Sequence, residues 1–286
     1  MRLTFITDEA TQDFCQAISL AKRLSLEAIE LRTVQGKPCS LLTAPECQEL
    51  KATLDAGEMR VCCVASPVYK CSVRGSLNFE LEKLQHAILV AEILECPYVR
   101  IFSFWRDNSL LPSDAAIVEN MELAADCVRG TSVKLLIENG RRTCHATASE
   151  LVRLSTFIDL DCIRFLWDPA NPIFGGIEKD PLGSDFIDLI PLIAHVHVKD
   201  PIYESDSNRT YVRFGEGQLD IPKLLHTLQE HNYSGFLSVE SHWRTDRQFT
   251  PEELDMPGGY EFSRNGTESV VDSIRFLRMQ NDNSSD

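Results

Sequence analysis

The sequence predicts an α/β fold, a single (β/α)8 TIM barrel with its site at the C-terminal face of the strands. Three observations carry this. Short β-rich runs alternate with helical patterns eight times along the 286 residues. The runs recur about every 33 residues, close to one βα unit of an eight-fold barrel. Links from helix to next strand are short, as at 159–162 and 234–235, whereas links from strand to helix grow long late in the chain, at 169–183, 200–220 and 241–266. Short connections at one end and long ones at the other suit a barrel whose site is built on one rim.

The strands are read at 3–7, 28–32, 60–65, 98–104, 133–138, 163–168, 195–198 and 236–240. Between them apolar residues recur at three and four, as in Leu81, Leu84, Ile88 and Ala91, in Leu151, Leu154, Phe157 and Ile158, and in Val270, Ile274 and Leu277. Thr43 with Glu46, and Thr147 with Glu150, are capping-box pairs, the first followed by Pro45. An open doubly wound sheet would want a glycine-rich turn after its first strand, but that turn is Thr7-Asp8-Glu9-Ala10. No linker interrupts the alternation. Residues 1–280 are therefore read as one barrel and 281–286 as a polar tail.

Composition excludes several classes. Hydrophobic residues are 43 % and charged residues 25 %, an ordinary globular balance, and 14 Gly with 13 Pro exclude a low-complexity chain. The formal net charge of −15 repels phosphate backbones and anionic lipid, so no nucleic-acid and no membrane partner is expected. The start, MRLTFITDEATQDF, turns acidic within eight residues and does not read as a signal peptide, and no apolar run approaches the roughly 18 residues of a membrane span. Ten cysteines without a CxxC read as reduced, mostly buried thiols, which fits a cytoplasmic protein.

Four successive strands end in groups that can bind metal: Glu138, Asp168, His195 with His197, and Glu240. Side chains alternate along a strand, so Leu136 and Glu138 share a face, as do Phe236, Ser238 and Glu240. Both glutamates then point into the barrel mouth. His195, His197 and Lys199 share a face too, with His197 at the mouth, His195 deeper and Lys199 above. Each residue alone could be a satisfied core polar group. Together, three converging carboxylates repel one another, and a divalent cation resolves the repulsion. Three carboxylates and an imidazole suit Mn²⁺, Mg²⁺ or Zn²⁺.

In order and spacing, FITDEATQD, IELR, IENG, WDPAN, HVHVKD, GEGQLD and VESHW resemble the xylose isomerase-like barrels, the sugar phosphate isomerase/epimerase superfamily. The resemblance runs over nearly the whole chain. It implies one divalent metal ion held by Glu138, Asp168, His197 and Glu240, His197 being preferred because it stands three residues before Asp200 in an H-x-x-D motif. It also implies a small sugar or polyol as partner, and a homodimer. Two positions depart from the pattern. Many relatives carry a histidine where Gly140 stands, a gap that His145 or Arg141 would fill or that marks a different substrate. The DNA-repair branch carries one where Asn171 stands, which with the acidic charge argues against that branch.

The implied activity is isomerisation or epimerisation of a sugar, sugar phosphate or polyol-derived ketose. One of Glu138 and Glu240 removes a proton next to the carbonyl, a metal-bound enediolate forms, and the other returns the proton. The alternatives are a dehydratase of the inosose or dehydroshikimate type, and a sugar-binding barrel without catalysis.

Substrate contacts are assigned to Asn171, Lys199, Arg213 and Trp105, each against a plain structural reading. Asn171 bonds substrate or Asp168, or makes the turn between Pro169 and Pro172. Lys199 holds a hydroxyl or forms a rim salt bridge. Arg213 grips the substrate's far end or is solvated. Trp105, with Phe104, walls a sugar face or is buried. His195 is read as a core histidine, and Arg32 and Arg100 as partners of Glu30, Asp8 or Glu9. The segment 241–266 is read as a lid hinged at Pro257-Gly258-Gly259, or as an oligomer contact.

Overall fold

The computed structural model describes residues 1–106 and 114–283. Eight parallel strands form one sheet: β1 (Arg2–Phe5), β2 (Ala28–Leu31), β3 (Arg60–Ala65), β4 (Tyr98–Ile101), β5 (Lys134–Glu138), β6 (Ile163–Trp167), β7 (Ile193–Val198) and β8 (Phe236–Val239). Its order is β1-β8-β7-β6-β5-β4-β3-β2, so the first strand meets the last. A bridge between Ile6 and Glu30 links β1 to β2, leaving the barrel nearly closed.

A helix follows each strand: α1 (Phe14–Arg23), α2 (Ala44–Ala56), α3 (Leu77–Ile93), α4 (Asp114–Val128), α5 (Ala148–Ser155), α6 (Ser184–Leu189), α7 (Ile221–Glu230) and α8 (Gly266–Asn283). Both capping boxes form, at the starts of α2 and α5. Asp13 and Asp220 cap α1 and α7 by accepting the Gln16 and Lys223 amides. The periodic apolar residues of α3 and α8 pack against the core, Leu84, Val270 and Ile274 completely buried and Leu81 partly so. Burying one such side chain contributes about 1.5–3 kcal/mol. In α5 the period fails at Phe157, which lies beyond the helix end at Ser155 and is exposed. Helix α8 continues to Asn283, three residues into the expected tail, and residues 284–286 lie outside the described part. Among the described residues no helix is long and apolar enough to cross a membrane, and all ten cysteines are free thiols.

The barrel interior is layered. Ala28, Cys62, Cys63, Leu136, Leu166 and Phe236 make a small apolar cluster separate from the helix–sheet core. The polar groups Glu30, Arg100, Glu138, His195 and His197 are buried inside as well. Two register shifts occur: β2 slips against β3 between Ile29 and Glu30, and β6 against β7 between Phe165 and Leu166. Such bulges re-aim side chains next to functional sites. Strand β4 stops at Ile101, short of the predicted Phe104. The Phe102 amide turns to the Val68 carbonyl, and Phe104 takes a left-handed φ of 64°.

The late links hold the structure that surrounds the mouth. After β7 comes a hairpin of Asp200–Ser205 and Asn208–Val212, and after β8 come short helices at Pro251–Asp255 and Gly259–Ser263.

Candidate metal centre and active site

Alternation along β5 and β7 turns Glu138, His195 and His197 inward. Asp168 follows the last residue of β6. Glu240 follows β8, where its amide still bonds the Val198 carbonyl, so the strand geometry carries one residue further. One ligand atom from each of Glu138, Asp168, His197 and Glu240 lies within 4.8 Å of all the others. All four residues are buried.

His197 decides whether this cluster fits a metal. Its Nε2 lies 3.0 Å from Glu30 Oε1. With the Nε2 proton donated there, Nδ1 keeps its lone pair. Nδ1 has no hydrogen-bond partner and stands 3.4 Å from Glu240 Oε2 and 3.8 Å from Glu138 Oε1. Asp168 Oδ2 meets Lys199 Nζ at 2.7 Å. A metal-ligating histidine ordinarily gives its other N–H to a carboxylate. The orphaned His197 Nδ1 and the mixed oxygen and nitrogen donors fit a divalent cation such as Mn²⁺, Mg²⁺ or Zn²⁺. His195 lies a layer deeper, with Nε2 2.9 Å from the other Glu30 oxygen.

Three cations hold the carboxylates. Arg100 donates to Glu138 Oε2 at 2.7 Å, and Arg32 to Glu240 Oε1 at 2.6 Å. Lys199 Nζ spans Glu240 Oε2 at 2.5 Å and Asp168 Oδ2 at 2.7 Å. Burial opposes ionisation, but Arg100 and His197 hold Glu138 down to about 2. Against the same burial, Lys199 and His242 hold Glu240 well below the usual carboxylate range. Burial pushes Asp168 up to about 6, since the neighbouring Glu240 and Glu138 charges offset much of the Lys199 attraction.

The supports come from loops. Asn139 accepts the Asp168 amide at 2.7 Å and donates to the Asp168 and Ala146 carbonyls. Asn171 donates to Glu138 Oε1 at 3.2 Å and to the Asn139 carbonyl; its own amide, not its side chain, meets Asp168. Asp200 is buried and accepts the amides of Gly215, Gly217 and Leu219, which pins GEGQLD to the rim. A Cβ on Gly217 would stand 2.1 Å from Asp200 Oδ1, so only glycine fits there.

Above the ligands lies a cavity of about 140 Å³, room for a small molecule only. Glu138 and Glu240 face it, whereas Asp168 and His197 are not among its lining residues. Asn171, Lys199 and Trp105, three of the four expected substrate contacts, also line it. Arg213 does not. Its Nε pairs with Asp272 at 2.9 Å, and it borders a neighbouring cavity instead. Phe104 packs on Tyr69 in the core, and Phe102 takes the expected place in the wall. Opposite Gly140, Arg141 reaches the cavity and His145 does not. Arg100 pairs with Glu138 instead of the expected Glu30, Asp8 or Glu9, while Arg32 pairs with Asp8, Glu9 and Glu240.

Sequence reasoning missed Glu30 as the carboxylate behind His197: alternation puts it on the inward face with Ala28, but which buried group it meets depends on how strands align across the barrel. It also missed Lys70, Tyr211 and His242 at the cavity wall. His242 stands in VESHW, and its Nδ1 lies 2.8 Å from Glu9.

A family model described as xylose isomerase-like TIM barrel matches residues 18–278. Among curated proteins, an inosose dehydratase from Lacticaseibacillus casei is 24 % identical over 139 residues, 44 % of this chain and 46 % of that one. The match thus spans under half the length of that relative. Among solved structures, an L-ribulose 3-epimerase superposes with a TM-score of 0.76 at 14 % identity, covering 99 % of this chain and 95 % of that one. A probable 3-DHS dehydratase from Bacillus anthracis superposes at 0.74 with 16 % identity, covering 97 % and 99 %. At these identities the structural likeness establishes the fold.

Proposed function

Since the chain belongs to the xylose isomerase-like TIM barrel family, we propose that it is a divalent-metal-dependent isomerase or epimerase of a small sugar or polyol-derived ketose, acting by proton transfer next to a carbonyl. The observation that carries this reading is the pair Glu138 and Glu240, which face one small cavity directly above buried Asp168 and His197. Binding alone needs no such pair of carboxylates.

A divalent ion held by Glu138, Asp168, His197 and Glu240 would supply Lewis-acid polarisation of the substrate's oxygens. The side chains do the remaining work. Arg100 and Asn171 fix the two oxygens of Glu138, and Arg32 and Lys199 fix those of Glu240. Both groups are held as carboxylates at neutral pH. One removes the proton beside the carbonyl. For isomerisation the same group returns that proton to the next carbon; for epimerisation the other group takes a proton from solvent and delivers it to the opposite face. Lys199 Nζ reaches the cavity beside Glu240 and can donate to a substrate oxygen. Phe102 and Trp105 supply an apolar wall that displaces water from a sugar face.

The match to an inosose dehydratase favours a second reading, in which the same pair removes a proton and protonates a departing β-hydroxyl. Incubation with candidate ketoses in D₂O, with Mn²⁺ present, tests both. Deuterium beside the carbonyl without a double bond supports the isomerase or epimerase. A new unsaturated product supports the dehydratase. Neither outcome, with the metal bound, removes both.

A further inference from the structure

The chain carries a net charge of −15, yet the cavity has the opposite sign. Arg32, Arg100 and Lys199 line it, and so do Lys70, Arg141 and Arg142; the carboxylates among its described lining residues are Glu138, Glu240 and Asp255. The first three cations hold the metal-site carboxylates. The second three belong to a different part of the wall and all meet Asp255, from the short helix after β8: Arg141 and Arg142 at its carboxylate, Lys70 at its carbonyl.

The Asp255 carboxylate takes a hydrogen bond from Arg141 and another from Arg142 at 3.2 Å. Lys70 donates only to the Asp255 carbonyl, at 2.6 Å, and has no carboxylate within 4.0 Å among the described residues. Its ammonium sits 5.4 Å from the Phe102 ring and 5.9 Å from Trp105. Burial, with Arg100 nearby, pushes it down to about 8, so it stays mostly charged at pH 7. A half-buried ammonium without a counter-ion, facing a cavity, is costly unless a ligand brings the missing charge.

Asp255 ends a short helix that runs into a glycine turn. Gly258 and Gly259 follow it with φ of 134° and 84°, a backbone open to glycine and strained for other residues. Its carboxylate is one-third exposed, so an incoming anion can reach the same arginines.

We infer that Lys70, Arg141 and Arg142 form a subsite for an anionic group of the substrate, a phosphate or a carboxylate, and that Asp255 holds its place in the free protein. This rests on the proposed sugar chemistry and narrows it to substrates with a charged end. The ligand's anion exchanges with the Asp255 carboxylate; no covalent bond changes.

Calorimetric titration of the full chain with Mn²⁺, at constant ionic strength, tests the subsite apart from turnover. The probes are inorganic phosphate, acetate and D-fructose. At least one anion is expected to bind at millimolar concentration or below, phosphate marking a phosphorylated substrate and acetate a carboxylated one. Lys70→Met should weaken that anion at least tenfold, Lys70→Arg should restore it, and Asp255→Asn should tighten it. Failure of both anions to bind overturns the inference. So does binding that Lys70→Met leaves unchanged, which marks an adventitious ion only. If D-fructose exchanges its proton while neither anion binds, the subsite falls and the proposed chemistry stands. If an anion binds through Lys70 but no ketose exchanges, the chemistry falls and the subsite stands.

Discussion

His197 Nε2 lies 3.0 Å from Glu30 Oε1, and this one contact sets which nitrogen of the ring faces the carboxylates of Glu138 and Glu240. Glu30 shares its second oxygen with His195. One buried carboxylate therefore orients two imidazoles from the neighbouring layer of β7.

Glu30→Gln should weaken Mn²⁺ binding about 10- to 100-fold, the usual effect of removing a carboxylate behind a metal histidine. The amide can still accept from one ring, so the fold should persist. Calorimetry with Mn²⁺, beside a circular dichroism melt, reads the two effects separately. Unchanged affinity would show that Glu30 serves packing alone.

Glu138→Gln and Glu240→Gln should each lower turnover by about 10²–10⁴, the range for removing a positioned acid or base. Both amides keep the size of the side chain. Either variant with near-normal turnover drops out of the mechanism.

Asp200→Ala should destabilise without touching the ligand set. It leaves the amides of Gly215, Gly217 and Leu219 without their acceptor. Water can reach some of them, so the cost is on the order of 2 kcal/mol. Thermal unfolding should fall by several degrees while metal affinity holds. An unchanged melting temperature would mean the loop is pinned by other contacts.

Glu9 gives the acid dependence. Burial opposes its ionisation, but His242, Arg32 and Arg244 converge on it and hold it well below the usual range. A carboxyl depressed in the fold stabilises above its unfolded value, near 4.3, and loses that contribution as the pH drops further. Urea unfolding of wild type and Glu9→Gln should differ most at pH 6–7, and the gap should narrow below pH 4. A constant gap would assign the loss to geometry rather than charge.

Much of this was legible in the residues. The eight-fold alternation and the uneven link lengths gave the barrel, because each βα unit must bury its own apolar face. The proposed ligands Glu138, Asp168, His197 and Glu240 stand at or just past strand ends, where period-two alternation decides direction. What sequence could not show depends on register and on loops. Glu30 shares the inward face of β2 with Ala28, but its meeting with His195 and His197 depends on how β2 and β7 align across the barrel. Phe104 turns left-handed, an unfavourable state for an aromatic residue, and so leaves the wall to Phe102. Arg213 finds Asp272, 59 positions later in the chain and on helix α8. Lys70 and Asp255 meet across the mouth from links 185 positions apart.

A crystal structure grown with Mn²⁺, with data collected at the manganese absorption edge, bears most directly on the central claim. The account predicts one anomalous peak per chain, coordinated by Glu138, Asp168, His197 and Glu240, with Lys199 withdrawn from the Asp168 and Glu240 oxygens it now spans. No peak there at saturating Mn²⁺, with Lys199 still bridging those two carboxylates, would contradict it.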